Sequence, residues 1–196
     1  MKANKASFPR GKVAYFITGN IHKFLEARQV LSERGIAAAK LKVEAVEIQD
    51  DSLENIAKYS VKDAVKRCGL PIFVEDAGLF VEGLQGFPGP YSRYVHDTVG
   101  VGSVITLMKN VENRAAYFLS VVAFGSPEME PVCFVGKVNG EISLRKRGTG
   151  GFGYDPIFVP LEGDGRTFAE MTTQEKNRFS HRARALRKFA EWYSGC

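Results

Sequence analysis

The sequence predicts an α/β fold with a mixed, twisted central sheet and flanking helices. In the first half, strand-like and helix-like segments alternate, which is typical of strand–helix–strand units. In the second half, two strand-like runs flank Asn139-Gly140, a dipeptide that strongly favours a hairpin turn. The chain has 196 residues and 44% hydrophobic content, which is enough for one well-cored domain. We therefore expect parallel and antiparallel strands in one sheet.

Residues 1–11 are basic and polar and have no apolar h-region, so they do not predict a secretory signal. We expect them to form a frayed tail and residues 12–196 to form a single domain. Residues 12–18 (KVAYFIT) are predicted as the first strand, followed by a turn and a helix over 21–34 that Gly35 closes. The helix residues expected to face inward are Phe24, Leu25 and Leu31.

The start of this helix is a candidate anion site. Backbone donors converge at a helix N-terminus, where the helix dipole favours negative charge, and Thr18, Asn20 and Lys23 lie at that end. The glycine spacing of a Walker or dinucleotide loop is missing. On these residues alone, helix capping by Thr18 or Asn20, with Lys23 in solvent, is the simpler interpretation.

Residues 41–48 (LKVEAVEI) alternate in part and are predicted as the second strand. Ser52 is the expected N-cap of the next helix, which Gly69 ends. Glu47 lies near the exit of this strand. It could share a Mg²⁺ ion with Asp76 of the neighbouring strand, because this ion prefers oxygen ligands. The expected apolar stripe of the helix is Leu53, Ile56, Ala57, Val61, Ala64, Val65 and Cys68.

The stretch over 72–92 is predicted as a buried strand, two carboxylates and an irregular segment. Residues 72–74 are apolar, and Glu75 and Asp76 follow at once. Adjacent carboxylates at the end of an apolar strand are costly unless they bind a cation or take protons. Residues 83–92 are too rich in glycine and proline for a regular element. The alternative is an ordinary acidic strand end and a plain turn.

Three further elements complete the prediction. Residues 100–111 are expected to form a short helix, and 115–124 a central strand. Residues 132–138 and 141–144 are the two arms of the expected hairpin. The helix residues expected to face inward are Val104, Leu107, Met108 and Val111.

Two later stretches are candidate binding segments. Residues 148–158 (GTGGFGYDPIF) combine glycines, which allow close approach of a ligand, with Phe152, which can stack on a planar base. The alternative is a mobile loop with its aromatic residues in the core. Residues 171–186 begin with a capping box and continue as the last helix. Its basic residues near the start, Lys176, His181 and Arg182, can reach into a cleft.

Composition excludes several classes of protein. No apolar run approaches the roughly 20 residues that span a bilayer. The three cysteines are few and far apart, so they indicate neither a disulfide framework nor a zinc site, and we expect a reducing cytoplasm. The net charge of +5 suits a polyanionic ligand, but only weakly.

Six motifs, in order, resemble those of the inosine/xanthosine triphosphate pyrophosphatase family, also called Ham1-like, and most resemble its archaeal members. They are TGNIHK at 18–23, EIQ at 47–49, VEDAGL at 74–79, GFPGPYS at 86–92, GGFGYDPIF at 150–158 and EKNRFSHR at 175–182. The resemblance implies two lobes with a nucleotide in the cleft between them. It also implies Mg²⁺-dependent cleavage of ITP, dITP or XTP to the monophosphate and pyrophosphate.

The resemblance also assigns expected roles to residues. Asp76 and Lys23 would be catalytic, and Glu47 and Asp76 would hold the metal ion. The residues expected to bind substrate are Thr18, Gly19, Asn20, Ile21, His22, Lys23, Ala77, Phe152, Gly153, Tyr154, Asp155, Lys176, His181 and Arg182. Ala77 departs from many relatives, which carry Ser or Thr there, so a backbone contact would have to serve. A homodimer is expected by resemblance only, with no membrane and no stable nucleic-acid complex.

Two alternatives stay open. One is a non-catalytic module that binds nucleotides or RNA through Phe152 and the basic last helix. A surface that only binds phosphates would not favour the predicted carboxylates, so pyrophosphate release distinguishes this class. The other alternative is a pyrophosphatase with a different base preference, such as one that acts on modified pyrimidine nucleotides.

Overall fold

The predicted mixed α/β fold is confirmed in the computed structural model, which describes residues 13–43, 46 and 48–195. Seven strands form one sheet in the order β2-β1-β3-β5-β6-β7, and β4 pairs with β3 beside this path. The strands are β1 (Val13–Ile17), β2 (Ala37–Leu41), β3 (Ile72–Val81), β4 (Pro88–Gly89), β5 (Ala115–Ser126), β6 (Met129–Ile142) and β7 (Phe158–Pro160). The helices are α1 (Ile21–Ser32), α2 (Leu53–Cys68), α3 (Ser92–Val99), α4 (Gly102–Leu107), α5 (Thr173–Asn177) and α6 (His181–Ser194).

The sheet is parallel at one edge and antiparallel over the rest. β1 runs parallel to both β2 and β3, and α1 and α2 are the connections between these strands. β3, β5, β6 and β7 pair antiparallel in succession. The expected tail over 1–11 lies outside the described residues, and the single two-lobed domain stays a prediction. Within the described part of the chain, no helix has the length and apolarity of a bilayer span.

Helix capping follows the sequence closely. Ser52 accepts a hydrogen bond from Asn55 N at the start of α2, and Gly69 ends that helix in a left-handed conformation with φ +65°. Thr172 and Glu175 form the expected capping box of α5. These local signals therefore place three helix ends correctly.

The second strand was predicted in the wrong place, because β2 covers Ala37–Leu41 and not 41–48. Gly35 adopts a positive φ of +69° soon after α1 and reverses the chain. The chain therefore meets β1 already at Ala37, in a register that runs from Val13↔Ala37 to Ile17↔Leu41. β1 ends at Ile17, so the residues after Leu41 have no partner strand there. Residues 44, 45 and 47 lie outside the described part of the chain.

The hairpin predicted at Asn139-Gly140 is also wrong, since both residues lie inside β6 opposite β5. The turn between β5 and β6 is instead at Pro127-Glu128. A Cβ on Gly140 would lie 2.4 Å from the Phe158 ring and from the Val159 carbonyl oxygen. Glycine is thus needed at this position for the close approach of β7, and not for a turn.

β3 is longer than the predicted strand over 72–74, and it pairs with β5 without interruption from Ile72↔Gly125 to Val81↔Ala116. Glu75 and Asp76 therefore lie within the strand and not at its end. Gly78 permits this continuation, because a Cβ there would be 2.4 Å from the Gly89 carbonyl oxygen in β4. Since side chains alternate along a strand, the two carboxylates point to opposite faces of the sheet.

Several smaller expectations differ. Leu25 is 40% exposed, because it lies about 200° around α1 from the buried Ala27. Leu107 is exposed as well, whereas Val104 of α4 and Met108 directly after this helix are buried as predicted. The predicted irregular segment over 83–92 contains β4, and α3 after it was not predicted.

Helices cover both faces of the sheet. α1 and α6 pack on one face, where Phe16, Phe73 and Phe189 are fully buried. α2 packs on the other face against Val74 and Val121. A third apolar cluster joins α4 to the ends of β3, β5 and β6 and to β7. The successive residues Phe73 and Val74 mark the two faces, so Glu75 lies on the side of α1 and α6 and Asp76 on the side of α2.

Candidate active site

Most predicted site residues line one cavity of about 1160 Å³. The predicted residues that line it are Thr18, Gly19, Asn20, Lys23, Asp76, Ala77, Phe152, Gly153, Tyr154, Asp155, Lys176, His181 and Arg182. Ile21 and His22 do not line it, and Glu47 lies outside the described residues. Residues from distant parts of the chain therefore meet at one place, as the motifs predicted.

The turn after β1 caps α1. Asn20 Oδ1 accepts hydrogen bonds from His22 N at 2.8 Å and from Lys23 N at 3.2 Å. Thr18 Oγ1 accepts one from Asn20 N at 3.1 Å. The capping interpretation is thus confirmed for Asn20, and two of the helix's first amides already have an acceptor. What α1 adds to the cavity is the ammonium group of Lys23.

Lys23 is not in solvent, as the capping interpretation had assumed, but bound to Glu75. Its Nζ lies 3.0 Å from Glu75 Oε2 and donates to the Glu75 carbonyl oxygen at 3.1 Å. Its side chain is 20% exposed. One residue of β3 thus holds the lysine through both its side chain and its backbone.

Glu75 is fully buried and has three partners. Ser120 Oγ donates to Glu75 Oε1 at 2.6 Å, and Arg182 Nε lies 3.0 Å from the same oxygen. The contacts of Glu75 with Lys23 and Arg182 are ion pairs whose angles fall outside hydrogen-bond geometry. Burial alone would raise the pKa of Glu75, but Arg182, Lys23 and the Ser120 hydroxyl together hold it far below its usual range. Glu75 is therefore ionised.

The ion pairs continue from Arg182 toward the segment over 148–158, which we call the glycine-rich loop. Arg182 Nη1 lies 2.5 Å from Glu26 Oε2, and Glu26 Oε1 lies 2.8 Å from Lys176 Nζ. Lys176 Nζ in turn lies 2.6 Å from Asp155 Oδ2. We call this series the charge chain, and its members in order are Lys23, Glu75, Arg182, Glu26, Lys176 and Asp155. Three positive and three negative groups alternate along it, so its formal charges cancel.

The ion pairs of the charge chain keep Glu26 and Lys176 ionised although both are buried. Burial disfavours the charged form of Glu26, yet Lys176 and Arg182 hold the pKa of this carboxyl below its usual value. Burial likewise disfavours charged Lys176, yet Asp155 and Glu26 raise its pKa above the usual value. Apart from Lys23, each member has a side chain no more than 6% exposed. Burial and these ion pairs therefore restrict the positions of the side chains.

Sequence reasoning did not assign Glu26, Glu75 or Ser120 to the site. Glu26 follows Lys23 by three residues on α1, so the two share one face of the helix, and this spacing was a usable signal. Glu75 was noted beside Asp76 but given no role. Ser120 is in an apolar strand and is fully buried. Only its hydrogen bond to Glu75 on β3 indicates a role in the site.

The glycine-rich loop presents Phe152 to the cavity. Phe152 N donates to Asp155 Oδ2 at 2.9 Å, which closes a tight turn. Gly151 has φ +66°, and a Cβ there would be 2.2 Å from the same oxygen, so only glycine fits. The His22 ring stacks on Phe152 at 5.2 Å, and Lys176 Nζ lies 4.9 Å from the Phe152 ring centre. His22 therefore supports a cavity residue although it does not line the cavity.

Tyr154 connects the glycine-rich loop to the first residue of α3. Its hydroxyl donates to the Ser92 carbonyl oxygen at 2.9 Å, and burial raises the pKa of the phenol. Ser92 Oγ accepts from Leu79 N at 2.8 Å and donates to the Gly89 carbonyl oxygen at 2.6 Å. Because only 4% of Tyr154 is exposed, its main contribution is to anchor the loop.

His181 is buried and neutral. Its ring stacks on Phe118 with centroids 4.4 Å apart and planes 9° from parallel. Burial, followed by the nearby Arg182 and Lys176, lowers the pKa of His181 well below its ordinary value of 6.5. Its Nδ1 is buried without a hydrogen-bond partner among the described residues. Because His181 lines the cavity and has this unpaired atom, it is a candidate contact for a ligand.

Asp76 is half-buried in the cavity wall on the α2 side of the sheet. Its Oδ1 accepts a hydrogen bond from Ala77 N at 2.9 Å. Gln49 and Asp50 line the same cavity and also carry oxygen donors. Among the residues that the structure describes, no three His, Cys, Asp or Glu side chains cluster to hold a metal ion alone. The donors fit a hard cation such as Mg²⁺, which commonly takes part of its shell from water and phosphate.

The chain matches a family model and a set of named relatives. A model described as the Ham1 family matches residues 14–192. A protein of Methanopyrus kandleri named dITP/XTP pyrophosphatase is 49% identical over 178 residues, which are 91% of this chain and 94% of the relative. A protein of the same name from Thermococcus kodakarensis is 50% identical over 177 residues, or 90% and 95% of the two chains.

Solved structures agree with these matches. A HAM1 protein from Coxiella burnetii has a TM-score of 0.82 and 28% identity, and the match covers 94% of this chain and 99% of the other. A nucleoside-triphosphatase, or dITP/XTP pyrophosphatase, from Mycobacterium abscessus has a TM-score of 0.70 and 34% identity, with coverage of 90% and 98%. The similarity therefore extends over nearly the whole chain in both sequence and structure.

Proposed function

Because this chain belongs to the Ham1 family, we infer that the cavity binds a nucleoside triphosphate and is the place where it is cleaved. The protein is a nucleoside triphosphate pyrophosphatase that hydrolyses non-standard purine nucleotides such as dITP and XTP. One observation carries the assignment to this cavity. Lys23 of the first motif and Lys176 and Arg182 of the last motif lie in the same wall, where ion pairs to the carboxylates of Glu75 and Glu26 connect them.

The purine base is proposed to lie against Phe152. Two cations lie close to this ring, with Lys176 Nζ at 4.9 Å and the Arg182 guanidinium carbon at 5.2 Å from its centre. Hypoxanthine and xanthine present an acceptor oxygen where adenine presents an amino group. Donors fixed to meet that oxygen would be left unpaired by adenine, at a cost of about 1–3 kcal/mol for each buried group. Guanine shares the oxygen, so space or an unmet amino group must exclude it.

The triphosphate is proposed to lie between Lys23 and Asp76. Thr18, Gly19 and Asn20 line the cavity beside Lys23 and are the expected phosphate contacts. Asp76 is proposed to orient or deprotonate the attacking water. With Glu47 it is also the proposed ligand set for Mg²⁺. The ion, when bound, supplies positive charge to the phosphate oxygens.

Three finer expectations belong to the same proposal, namely a homodimer, a cytoplasmic location and no stable nucleic-acid complex. The first two rest on the resemblance and on the cysteine content. The third has support in the charges of the described residues. The buried cations of the charge chain are balanced by carboxylates, and the half-buried Arg184 and Arg187 on α6 pair with Glu162 and Glu33. A surface for nucleic acid would present unbalanced positive charge.

The function is tested by pyrophosphate release. With Mg²⁺, the purified protein is expected to cleave dITP, ITP and XTP much faster than dATP or GTP, and to lose activity in EDTA. Asp76→Asn is expected to lower kcat/KM by about 100-fold or more, because a general base contributes on that order. Lys23→Ala is expected to be strongly impaired as well.

The matched control is Asp164→Asn, which removes an exposed aspartate that pairs with Arg166 outside the cavity. It is expected to retain wild-type kinetics. Tight binding of ITP without pyrophosphate release would favour the non-catalytic module. Equal kcat/KM values for ITP and GTP would refute the proposed base selectivity.

A further inference from the structure

We propose that Glu75 is a positioning residue that fixes Lys23, at the phosphate end of the cavity, relative to Arg182, at the base end. The proposal rests on the proposed function, because it concerns how the same cavity aligns its substrate. Glu75 is the shared partner of both cations, at 3.0 Å from each. Neither the motif pattern nor the family resemblance gave this residue a role.

The two cations come from different helices, so a third group is needed to fix their positions relative to each other. Lys23 is on α1 and Arg182 is at the start of α6, and long basic side chains lose much of their rotamer entropy when they are fixed. Glu75 meets them from the middle of the sheet, where β3 pairs with β1 on one side and β5 on the other. The contact of Lys23 Nζ with both Oε2 and the backbone oxygen of Glu75 restricts the ammonium further.

Glu75 itself has little freedom to move. Ser120 Oγ holds Oε1 at 2.6 Å, and both side chains are fully buried. Arg182 is held from its other end by Glu26 at 2.5 Å. A displacement of Glu75 would therefore break contacts with three neighbours at once.

Neither a chemical role nor stability accounts for Glu75. Its two oxygens face Lys23, Arg182 and Ser120, so it is not placed to accept a proton from water or to bind a metal ion. Buried ion pairs of this kind contribute little net stability compared with apolar residues of similar size. Asp76, on the opposite face of β3, is the carboxylate to which the proposed function assigns the chemistry.

Loss of the Glu75 charge has a distinctive expected effect. Lys23 and Arg182 would lose their shared counter-ion, and Lys23 would no longer be held at one point. The cavity would gain one unit of positive charge, which favours binding of a triphosphate in general. Because the triphosphate is positioned less well, kcat falls. Because it is attracted more strongly, KM does not rise.

The test is steady-state kinetics of Glu75→Gln with dITP and Mg²⁺. The amide keeps the shape of the side chain and an acceptor for Ser120. We expect kcat to fall by about 10- to 100-fold, as for a misplaced catalytic group, with KM unchanged or lower. In a double-mutant cycle with Lys23→Met, the double variant is expected to be no worse than Lys23→Met alone, because Glu75 acts through Lys23.

Glu33→Gln is the matched control, because it removes an exposed carboxylate that pairs with Arg187 of α6 without touching the cavity. It is expected to keep both kcat and KM. If Glu75→Gln does not fold, Ser120→Ala decides, since it removes only the 2.6 Å bond to Glu75. We expect Ser120→Ala to fold and to lower kcat several-fold at constant KM.

The proposal is overturned if Glu75→Gln raises KM at constant kcat, or if its effect adds fully to that of Lys23→Met. It is also overturned if Glu75→Gln, or Ser120→Ala where that variant decides, has wild-type kinetics. These outcomes are distinct from failure of the proposed function. If the proposed function is wrong, the wild-type protein itself will not release pyrophosphate from dITP or XTP.

Discussion

At the scale of single residues, the two adjacent carboxylates of β3 have different surroundings. Glu75 points toward α1 and α6 and is held by two cations and a hydroxyl. Asp76 points toward α2 and lines the cavity with Gln49 and Asp50. Two adjacent carboxylates in an apolar strand were expected to need cations or protons. For Glu75 the cations are Lys23 and Arg182 of the protein itself. Strand alternation alone would have separated the pair, had the strand been predicted through Val81.

His181 is expected to make stability depend on pH. The folded protein holds its pKa well below 6.5, whereas the unfolded chain binds a proton near that value. Between these two pKa values the unfolded state carries the extra proton, so the free energy of unfolding falls as pH falls below about 6.5, by up to about 1.4 kcal/mol per pH unit. Urea denaturation between about pH 7 and about pH 5 measures this slope.

The control is His181→Phe, which keeps a ring against Phe118 and removes the titrating group. Its unfolding free energy is expected to be flatter over the same pH window. Glu26 and Glu75 act in the same direction only at lower pH, because their folded pKa values lie below the usual 4.5 and their stabilising contribution is lost as pH falls further. An identical slope in wild type and variant would contradict the role of His181.

At the scale of elements, the spacing between α6 and β6 depends on Gly136. A Cβ on Gly136 would lie 2.1 Å from the His181 carbonyl oxygen and 2.5 Å from Ala185 N, both backbone atoms. Gly136 is also opposite Ser120 in the β5–β6 register. The first turn of α6 therefore rests directly on the sheet beside the bond from Ser120 to Glu75. This contact fixes the distance between Arg182 and the sheet.

Gly136→Ala is expected to push the start of α6 away from the sheet. Overpacking of this kind costs about 1–3 kcal/mol of folding free energy, and the displaced Arg182 should lower kcat as well. Thermal unfolding and steady-state kinetics measure the two effects. The control is Gly102→Ala in α4, where the nearest atoms to a new Cβ are 3.6 Å away at the end of Lys146. Wild-type kinetics in Gly136→Ala would show that the spacing does not matter.

The prediction of elements succeeded where a local signal decides the outcome. The cap residues of α2 and the capping box of α5 act within one helical turn, so sequence alone located them. The failures at 41–48 and at Asn139-Gly140 have a different cause. The length of β1 limits the pairing of β2, and close approach of β7 fixes Gly140 inside a strand. Both are tertiary effects, and they override local propensity.

At the scale of the whole molecule, the site was predictable as a set of motifs but not as a network. The matching motifs named Lys23, Asp76, Lys176 and Arg182 as candidates, and all four line the cavity. The bond between Arg182 and Glu26 joins residues 156 positions apart in sequence, and no local pattern reports it. The same holds for Ser120 and Glu75, which are 45 positions apart. Such contacts appear only once β3 and the helices are assembled.

Ligand binding is expected to stabilise the whole fold. A non-hydrolysable dITP analogue at about 100 times its Kd adds about 2.7 kcal/mol, which is roughly 5–10 °C in Tm for a domain of this size. We expect this shift only with Mg²⁺ and analogue together, as measured by differential scanning fluorimetry. EDTA and the corresponding dATP analogue are the controls. A full shift in EDTA would argue against a metal ion at Asp76.

The charge chain has a consequence for attempts to evolve a new base preference in the laboratory. Its members neutralise one another in sequence, so exchange of a single member leaves a neighbour with uncompensated charge in a buried place. Variants that survive selection should therefore carry coordinated exchanges, in which a cation and its adjoining carboxylate are replaced together. Libraries that randomise such neighbours jointly would reach sequences that stepwise mutagenesis discards.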